Sequence, residues 1–93
     1  MTTPTKEQLL ALADRVEQAT AADNGLDVEI EIALFRPGSV YTDVRANAAG
    51  SKVIYTDRAG NDVTCWSEDW TMEPRRSSTA AALRARAHAL EVK

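Results

Sequence analysis

The chain has 93 residues, of which 44% are apolar and 27% charged, and its formal net charge is −3. This composition is typical of one globular domain over residues 1–93 and excludes an intrinsically disordered chain. No apolar run approaches the roughly 18 residues that a membrane-spanning helix needs. Because the N-terminal segment also lacks an apolar signal core and the single cysteine excludes an intramolecular disulfide, we expect a cytoplasmic protein.

The first predicted element is an amphipathic helix over residues 6–21. Thr5 and Gln8 have the spacing of a capping box, in which each side chain binds the backbone N–H of the other residue. The apolar residues that follow recur at helical spacing and share one face: Leu9, Leu12, Ala13, Val16 and Ala19. The break Asp23-Asn24-Gly25 then ends this unit.

Residues 26–35 allow two interpretations. In a strand, five apolar residues alternate with the carboxylates of Asp27, Glu29 and Glu31, and this alternation is unbroken and rich in β-branched residues. In a helix, the apolar residues form two groups that point in opposite directions: Leu26, Ile30, Ala33 and Leu34, and then Val28, Ile32 and Phe35. The alternation favours a strand whose outer face carries a row of three carboxylates.

The clearest β signal is a hairpin over residues 52–66. Its two runs, VIYT and VTCW, are rich in β-branched and aromatic residues. The turn between them contains Gly60 and Asn61, which adopt positive φ at little cost. A short strand is also predicted over residues 40–45, where Val40, Thr42 and Val44 alternate with polar neighbours and Tyr41.

A second amphipathic helix is predicted from about residue 77, because Ala80, Leu83, Ala87 and Leu90 share one face. The elements together predict an α+β fold. Its small, mainly antiparallel sheet has the 52–66 hairpin at its centre and packs with the N-terminal and C-terminal amphipathic helices.

The residue types that carry chemistry are few. His88 is the only histidine, and Cys65 lies inside a predicted strand, without the helix N-terminus or cationic neighbour that activates a thiol. The hairpin turn contains Asp57, Asn61 and Asp62, but these lack the alternating ligands and closing glutamate of a calcium loop. We therefore predict no enzyme activity, no metal and no cofactor, and interpret this turn as ordinary turn chemistry.

Protein binding fits the sequence better than catalysis. Residues 1–35 hold seven acidic and two basic residues, and this N-terminal third of the chain could attract a basic protein surface. The two tryptophans have two interpretations: both pack under the helices, or one is exposed beside acids as a contact residue. The strand interpretation of residues 26–35 predicts Asp27, Glu29 and Glu31 as partner-binding residues. The interpretation with one exposed tryptophan adds Glu68, Asp69 and Trp70.

Three segments, LLALADRVEQAT (9–20), LDVEIEIAL (26–34) and AAALRARA (80–87), resemble a group of small proteins from tailed bacteriophages and prophages. The resemblance implies an α–β–α sandwich fold, a helix over residues 26–34, and no assigned activity.

The sequence and the resemblance together predict a non-enzymatic phage or prophage accessory protein that binds another protein. One concrete form is an inhibitor of a host defence complex, in the manner of anti-CRISPR proteins. The alternative is a small nucleic-acid-binding module that uses the arginines near the C-terminus, although these make no single stripe on a helical wheel: Arg75, Arg76, Arg84 and Arg86. Oligomeric state does not follow from the sequence.

Overall fold

The computed structural model describes residues 4–91. The first three residues belong to the N-terminal segment that is predicted to lack a signal core, and they lie outside the described residues. Its elements follow in the order α1 (Lys6–Gln18), α2 (Asn24–Leu34), β1 (Tyr41–Ala46), β2 (Val53–Asp57), β3 (Asp62–Cys65) and α3 (Arg76–Glu91). The strands form one antiparallel sheet in the order β1-β2-β3. The predicted α+β class and the terminal helices are confirmed.

Local sequence signals account well for α1 and for the hairpin. The hydroxyl of Thr5 accepts from the Gln8 N–H at 3.1 Å, and the Gln8 side chain accepts from the Thr5 N–H at 2.8 Å, so that the predicted capping box is present. The predicted hairpin is formed by β2 and β3, and Gly60 has φ 89° in its turn. Helix α1 ends at Gln18, three residues before its predicted end.

The prediction of a strand over residues 26–35 is wrong, because this segment is the helix α2 and lies between two layers. One side of α2 packs against α1 and α3 in a core that includes Leu9, Val16, Ile30 and Leu83. The other side packs against the sheet through Val28, with Val44 and Val53. Successive residues of a helix turn by about 100°, so that two opposite apolar faces yield an alternation like that of a strand.

The layers therefore run from the α1–α3 pair through α2 to the sheet. The terminal helices pack closely on each other, and α2 is the helix that contacts β1 and β2. None of the helices within residues 4–91 is long and apolar enough to cross a membrane.

Candidate functional site

The segment between β3 and α3, residues 66–75, is called the connector here, and it is held by two carboxylates of α2, one buried and one half-buried. Asp27 is almost fully buried, and its Oδ1 accepts from both the backbone N–H and the hydroxyl of Thr71, each at 2.8 Å. The same hydroxyl accepts from the Asp23 N–H at 2.7 Å, while the Asp23 side chain caps the start of α2. Thr71 is fully buried, so that this contact fixes the middle of the connector to α2.

A second carboxylate, one turn further along α2, holds the first half of the connector. Glu31 Oε1 accepts from the indole N–H of Trp70 at 2.7 Å and from the backbone N–H of Glu68 at 3.2 Å. Its Oε2 accepts from the Tyr55 hydroxyl on the sheet. Burial, the hydrogen bond to Glu31 and its negative charge together raise the pKa of Tyr55 well above its ordinary value. Glu31 therefore ties the sheet, α2 and the connector together.

The predicted outward row of Asp27, Glu29 and Glu31 is also wrong. In a helix, Asp27 and Glu31 lie close together on one flank, whereas Glu29 points to the opposite flank. There its carboxylate forms a two-point ion pair with Arg15 of α1, at 3.0 and 2.9 Å. Asp27 and Glu31 are thus internal acceptors, and Asp27 is too deeply buried to contact a partner.

The two tryptophans have different environments, and the exposed one is Trp66. Its side chain is 66% exposed, and the Lys52 ammonium lies 4.5 Å from the ring centroid. Trp70, the predicted contact residue, is instead partly buried against the helical core, with the Arg75 guanidinium 4.2 Å from its ring centroid. The structure therefore moves the candidate contact from Trp70 to Trp66, which the sequence interpretation did not select.

Strand alternation gives the physical reason for the exposure of Trp66. Cys65 packs towards α2 beside Val53, its partner on β2. Neighbouring residues of an extended chain point to opposite sides, so that Trp66 and Thr64 project from the outer face of the sheet. The predicted residues Glu68 and Asp69 follow on the connector and are both exposed. Trp66, Glu68 and Asp69 form the candidate site, named here the Trp66 surface.

The candidate catalytic residues occupy separate parts of the fold. Cys65 is partly buried against the sheet side of α2, and burial, together with the Glu31 charge, raises the pKa of its thiol. A raised pKa keeps the thiol protonated near neutral pH, the opposite of an activated nucleophile. His88 is exposed on α3. Residues 4–91 contain no cluster of three or more acidic, histidine or cysteine side chains that could hold a metal ion.

The predicted turn residues cap the hairpin. Asp57 Oδ1 accepts from the N–H groups of Ala59 and Asn61, at 3.0 and 2.9 Å. Asp62 accepts from Arg45 and Thr56 across the outer face of the sheet, at 2.7 and 2.8 Å. These side chains support the turn and the sheet, which agrees with their interpretation as turn chemistry.

The arginines of the nucleic-acid alternative bind other parts of the chain. Arg84 forms ion pairs with Asp14 and Glu17 of α1. The remaining contacts are those of Arg75 with Glu68, Arg76 with Glu73 and the Thr71 carbonyl, and Arg86 with the Phe35 carbonyl. These contacts distribute the positive charges around the molecule instead of along one groove.

A scan against protein-family models gave no match, and searches of curated proteins and of solved structures gave no significant match.

Proposed function

We propose that this chain acts by binding another protein through the Trp66 surface, and that it is a non-enzymatic phage or prophage accessory protein. The observation that carries the proposal is the exposure of Trp66 at the end of β3, where no other residue covers most of its indole. Tryptophan is among the residues most often found to dominate the free energy of protein association. The phage or prophage context comes from the resemblance of residues 9–20, 26–34 and 80–87.

The structure holds this surface in place before any partner arrives. The Lys52 ammonium lies against the ring of Trp66, and Glu31 accepts from the backbone N–H of Glu68, two residues further along the chain. An ordered contact loses less conformational entropy on association, which improves affinity. The α2 carboxylates thus have a positioning role under this proposal, in place of the direct partner contact that the strand interpretation assigned to them.

Charge indicates the chemistry of the partner. The whole chain carries a net charge of −3, and Asp69 on the Trp66 surface is an exposed carboxylate, whereas Asp62 and Glu68 are paired with Arg45 and Arg75. A partner with a basic surface would be attracted to the chain, and association would be fastest at low salt. A host defence complex that holds nucleic acid on a basic surface has this chemistry, so that inhibition of such a complex is the concrete form of the proposal.

Nucleic-acid binding is the weaker alternative. Binding to a duplex needs lysines and arginines that are available to phosphates, and Arg75, Arg76 and Arg84 already form ion pairs with carboxylates of the chain. We expect negligible binding to a random duplex at physiological salt. A micromolar complex that weakens steeply with added salt would favour the alternative.

The test compares Trp66→Ser with Val40→Ser, a matched control at another exposed apolar residue that is 62% exposed. Proteins captured from a bacterial extract by the parent and by each variant are identified, and any candidate is purified and measured directly. We expect a partner whose Kd rises by about 30-fold or more with Trp66→Ser, the equivalent of a contact worth about 2 kcal/mol. Val40→Ser should bind like the parent.

Inhibition of a defence system is tested separately by expressing the chain in bacteria that carry a defined CRISPR system and challenging them with a targeted phage. Restored plaque formation that depends on Trp66 would support the inhibitor form. A purified partner that binds Trp66→Ser as tightly as the parent would refute the proposed site.

A further inference from the structure

A pocket of about 320 Å³ opens between the end of α2 and the middle of α3. Leu34, Ala82 and Ala85 form its aliphatic wall. Two arginines complete the lining, Arg36 two residues after the end of α2 and Arg86 on α3. This pocket, named here the Arg36–Arg86 pocket, shares no residue with the Trp66 surface.

The positive charge of this pocket is not neutralised by the fold. Within residues 4–91, no carboxylate forms an ion pair with Arg36 or Arg86. Burial and the positive charge of Arg36 both lower the pKa of the Arg86 guanidinium, so that the two cations lie close enough to repel each other. Five arginines elsewhere in the chain do form ion pairs with carboxylates: Arg15, Arg45, Arg75, Arg76 and Arg84.

Arg86 also lacks good hydrogen-bond acceptors. Its Nη2 donates to the Phe35 carbonyl at 3.4 Å, which is longer than the usual range of about 2.7–3.2 Å. Its Nε is buried and has no acceptor among the described residues, and a buried N–H without an acceptor raises the free energy of the folded state. An oxyanion bound in the pocket would offset the repulsion between the two arginines and supply acceptors to their guanidinium groups.

Charge and size together indicate which oxyanion fits. A phosphate monoester carries about −1.5 to −2 charges at pH 7, which matches two guanidinium groups, whereas a carboxylate or a phosphodiester carries a single charge and leaves one arginine unbalanced. Arginine also binds phosphate oxygens at two points through its planar fork. The volume of the pocket is at the low end of small-molecule sites, which span about 300–1,000 Å³. Its aliphatic wall fits a compact apolar group.

We propose that the Arg36–Arg86 pocket binds the phosphate monoester of a small molecule whose remaining part is compact and apolar. Arg36 and Arg86 contact the phosphate oxygens, and the aliphatic wall contacts the apolar part. This site goes beyond the proposed function and does not depend on it.

The probe is phenyl phosphate, and its matched control is phenyl sulfate, which has nearly the same shape and a single negative charge. NMR at low salt follows the side-chain Nε–H signals of Arg36 and Arg86 during titration with each compound. We expect phenyl phosphate to shift both signals with a Kd of about 1 mM or lower, the scale of a few hydrogen bonds between charged groups. Phenyl sulfate should bind about tenfold more weakly, and inorganic phosphate, which has no apolar part, should also bind more weakly.

The matched variants are Arg36→Gln and Arg58→Gln. Both residues are exposed and both changes remove one positive charge, but Arg58 lies in the hairpin turn and donates to the Ser39 carbonyl. We expect Arg36→Gln to raise the Kd for phenyl phosphate by about tenfold or more, the scale of one hydrogen bond to a charged group. Arg58→Gln and Trp66→Ser should bind like the parent.

Arg86→Lys tests the second arginine without removing its charge. Lysine presents a single ammonium in place of the planar fork, so that this variant should also bind phenyl phosphate more weakly than the parent. The thermal midpoint of each variant, measured without ligand, checks that the fold persists.

Four results would overturn the proposal. The first is unchanged binding of phenyl phosphate by a folded Arg36→Gln variant, and the second is an equal loss with Arg58→Gln, which would assign the effect to overall charge. The third is equal affinity for phenyl phosphate and phenyl sulfate, which would show that the two arginines do not select a doubly charged group. The fourth is equal affinity for inorganic phosphate, which would exclude a contact with the apolar part.

Discussion

Replacing Thr71 by valine keeps the shape of a fully buried side chain and removes its hydroxyl. Two short hydrogen bonds are lost, the one to the Asp27 carboxylate at 2.8 Å and the one accepted from the Asp23 N–H at 2.7 Å, together with a longer contact to the Asp23 carbonyl at 3.4 Å. A hydrogen bond to a charged group contributes about 1.5–3 kcal/mol, and a neutral one about 0.5–1.5 kcal/mol. We therefore expect a loss of about 2–4 kcal/mol in the free energy of unfolding, out of a total of about 5–15 kcal/mol.

The measurement is urea denaturation followed by tryptophan fluorescence, which yields the midpoint and its slope. An unchanged slope with a lower midpoint would show that stability changed while the folded and unfolded states stayed comparable. The thermal midpoint should fall by about 8–30 °C, since each kcal/mol corresponds to about 4–8 °C in a domain of this size.

Thr42→Val is the matched control, because the Thr42 hydroxyl is exposed and its contact with the Thr56 carbonyl is long, at 3.5 Å. It should change stability by less than about 0.5 kcal/mol. A similarly small effect of Thr71→Val would refute the reasoning that Asp27 and Thr71 hold the connector to α2.

Further predictions concern the core, alkaline pH and the reactive side chains. Leu83 is fully buried between the helices, so that Leu83→Ala should cost about 2–5 kcal/mol and Leu83→Asp should abolish cooperative unfolding in a thermal melt. Folding raises the pKa of Cys65 above its ordinary value of 9.0 and that of Tyr55 above 10.0. The unfolded chain therefore loses these protons at a lower pH than the folded chain does. The free energy of unfolding should keep its full value below about pH 9 and fall as the pH rises further. Cys65→Ala should make the decline in urea midpoint between about pH 8 and 10 smaller. Cys65→Ala and His88→Ala should leave biological activity largely intact, apart from any loss of stability, and a variant that loses activity while its fold and melting temperature are unchanged would favour an enzyme.

Local chemistry made part of the fold predictable from sequence. The capping box at Thr5 and Gln8 and the turn at Gly60 use contacts between residues a few positions apart, so that the residue types alone indicate them. The outer helices, α1 and α3, each bury one face, and a single apolar stripe with helical period is unambiguous.

The candidate site was only partly predictable, and the error lay in one element. Helix α2 is buried on two opposite sides, so that its apolar residues alternate as they would in a strand. This ambiguity placed Asp27 and Glu31 on an outer surface, whereas the helix turns both towards the connector. Glu68 and Asp69 were predicted as exposed contact residues and are exposed, and Trp66 takes the place given to Trp70.

The sequence by itself determined the helix start at Thr5, the hairpin and its turn, and the apolar faces of the two outer helices, because neighbouring residues supply those interactions. Only the tertiary structure decided the conformation of residues 26–34 and the environments of the two tryptophans. The contacts responsible join Asp27 to Thr71 across 44 residues of sequence, and Glu31 to Trp70 across 39. Such contacts form only when α2 is enclosed between two layers, and burial on both of its sides outweighs the local preference of its β-branched residues for a strand.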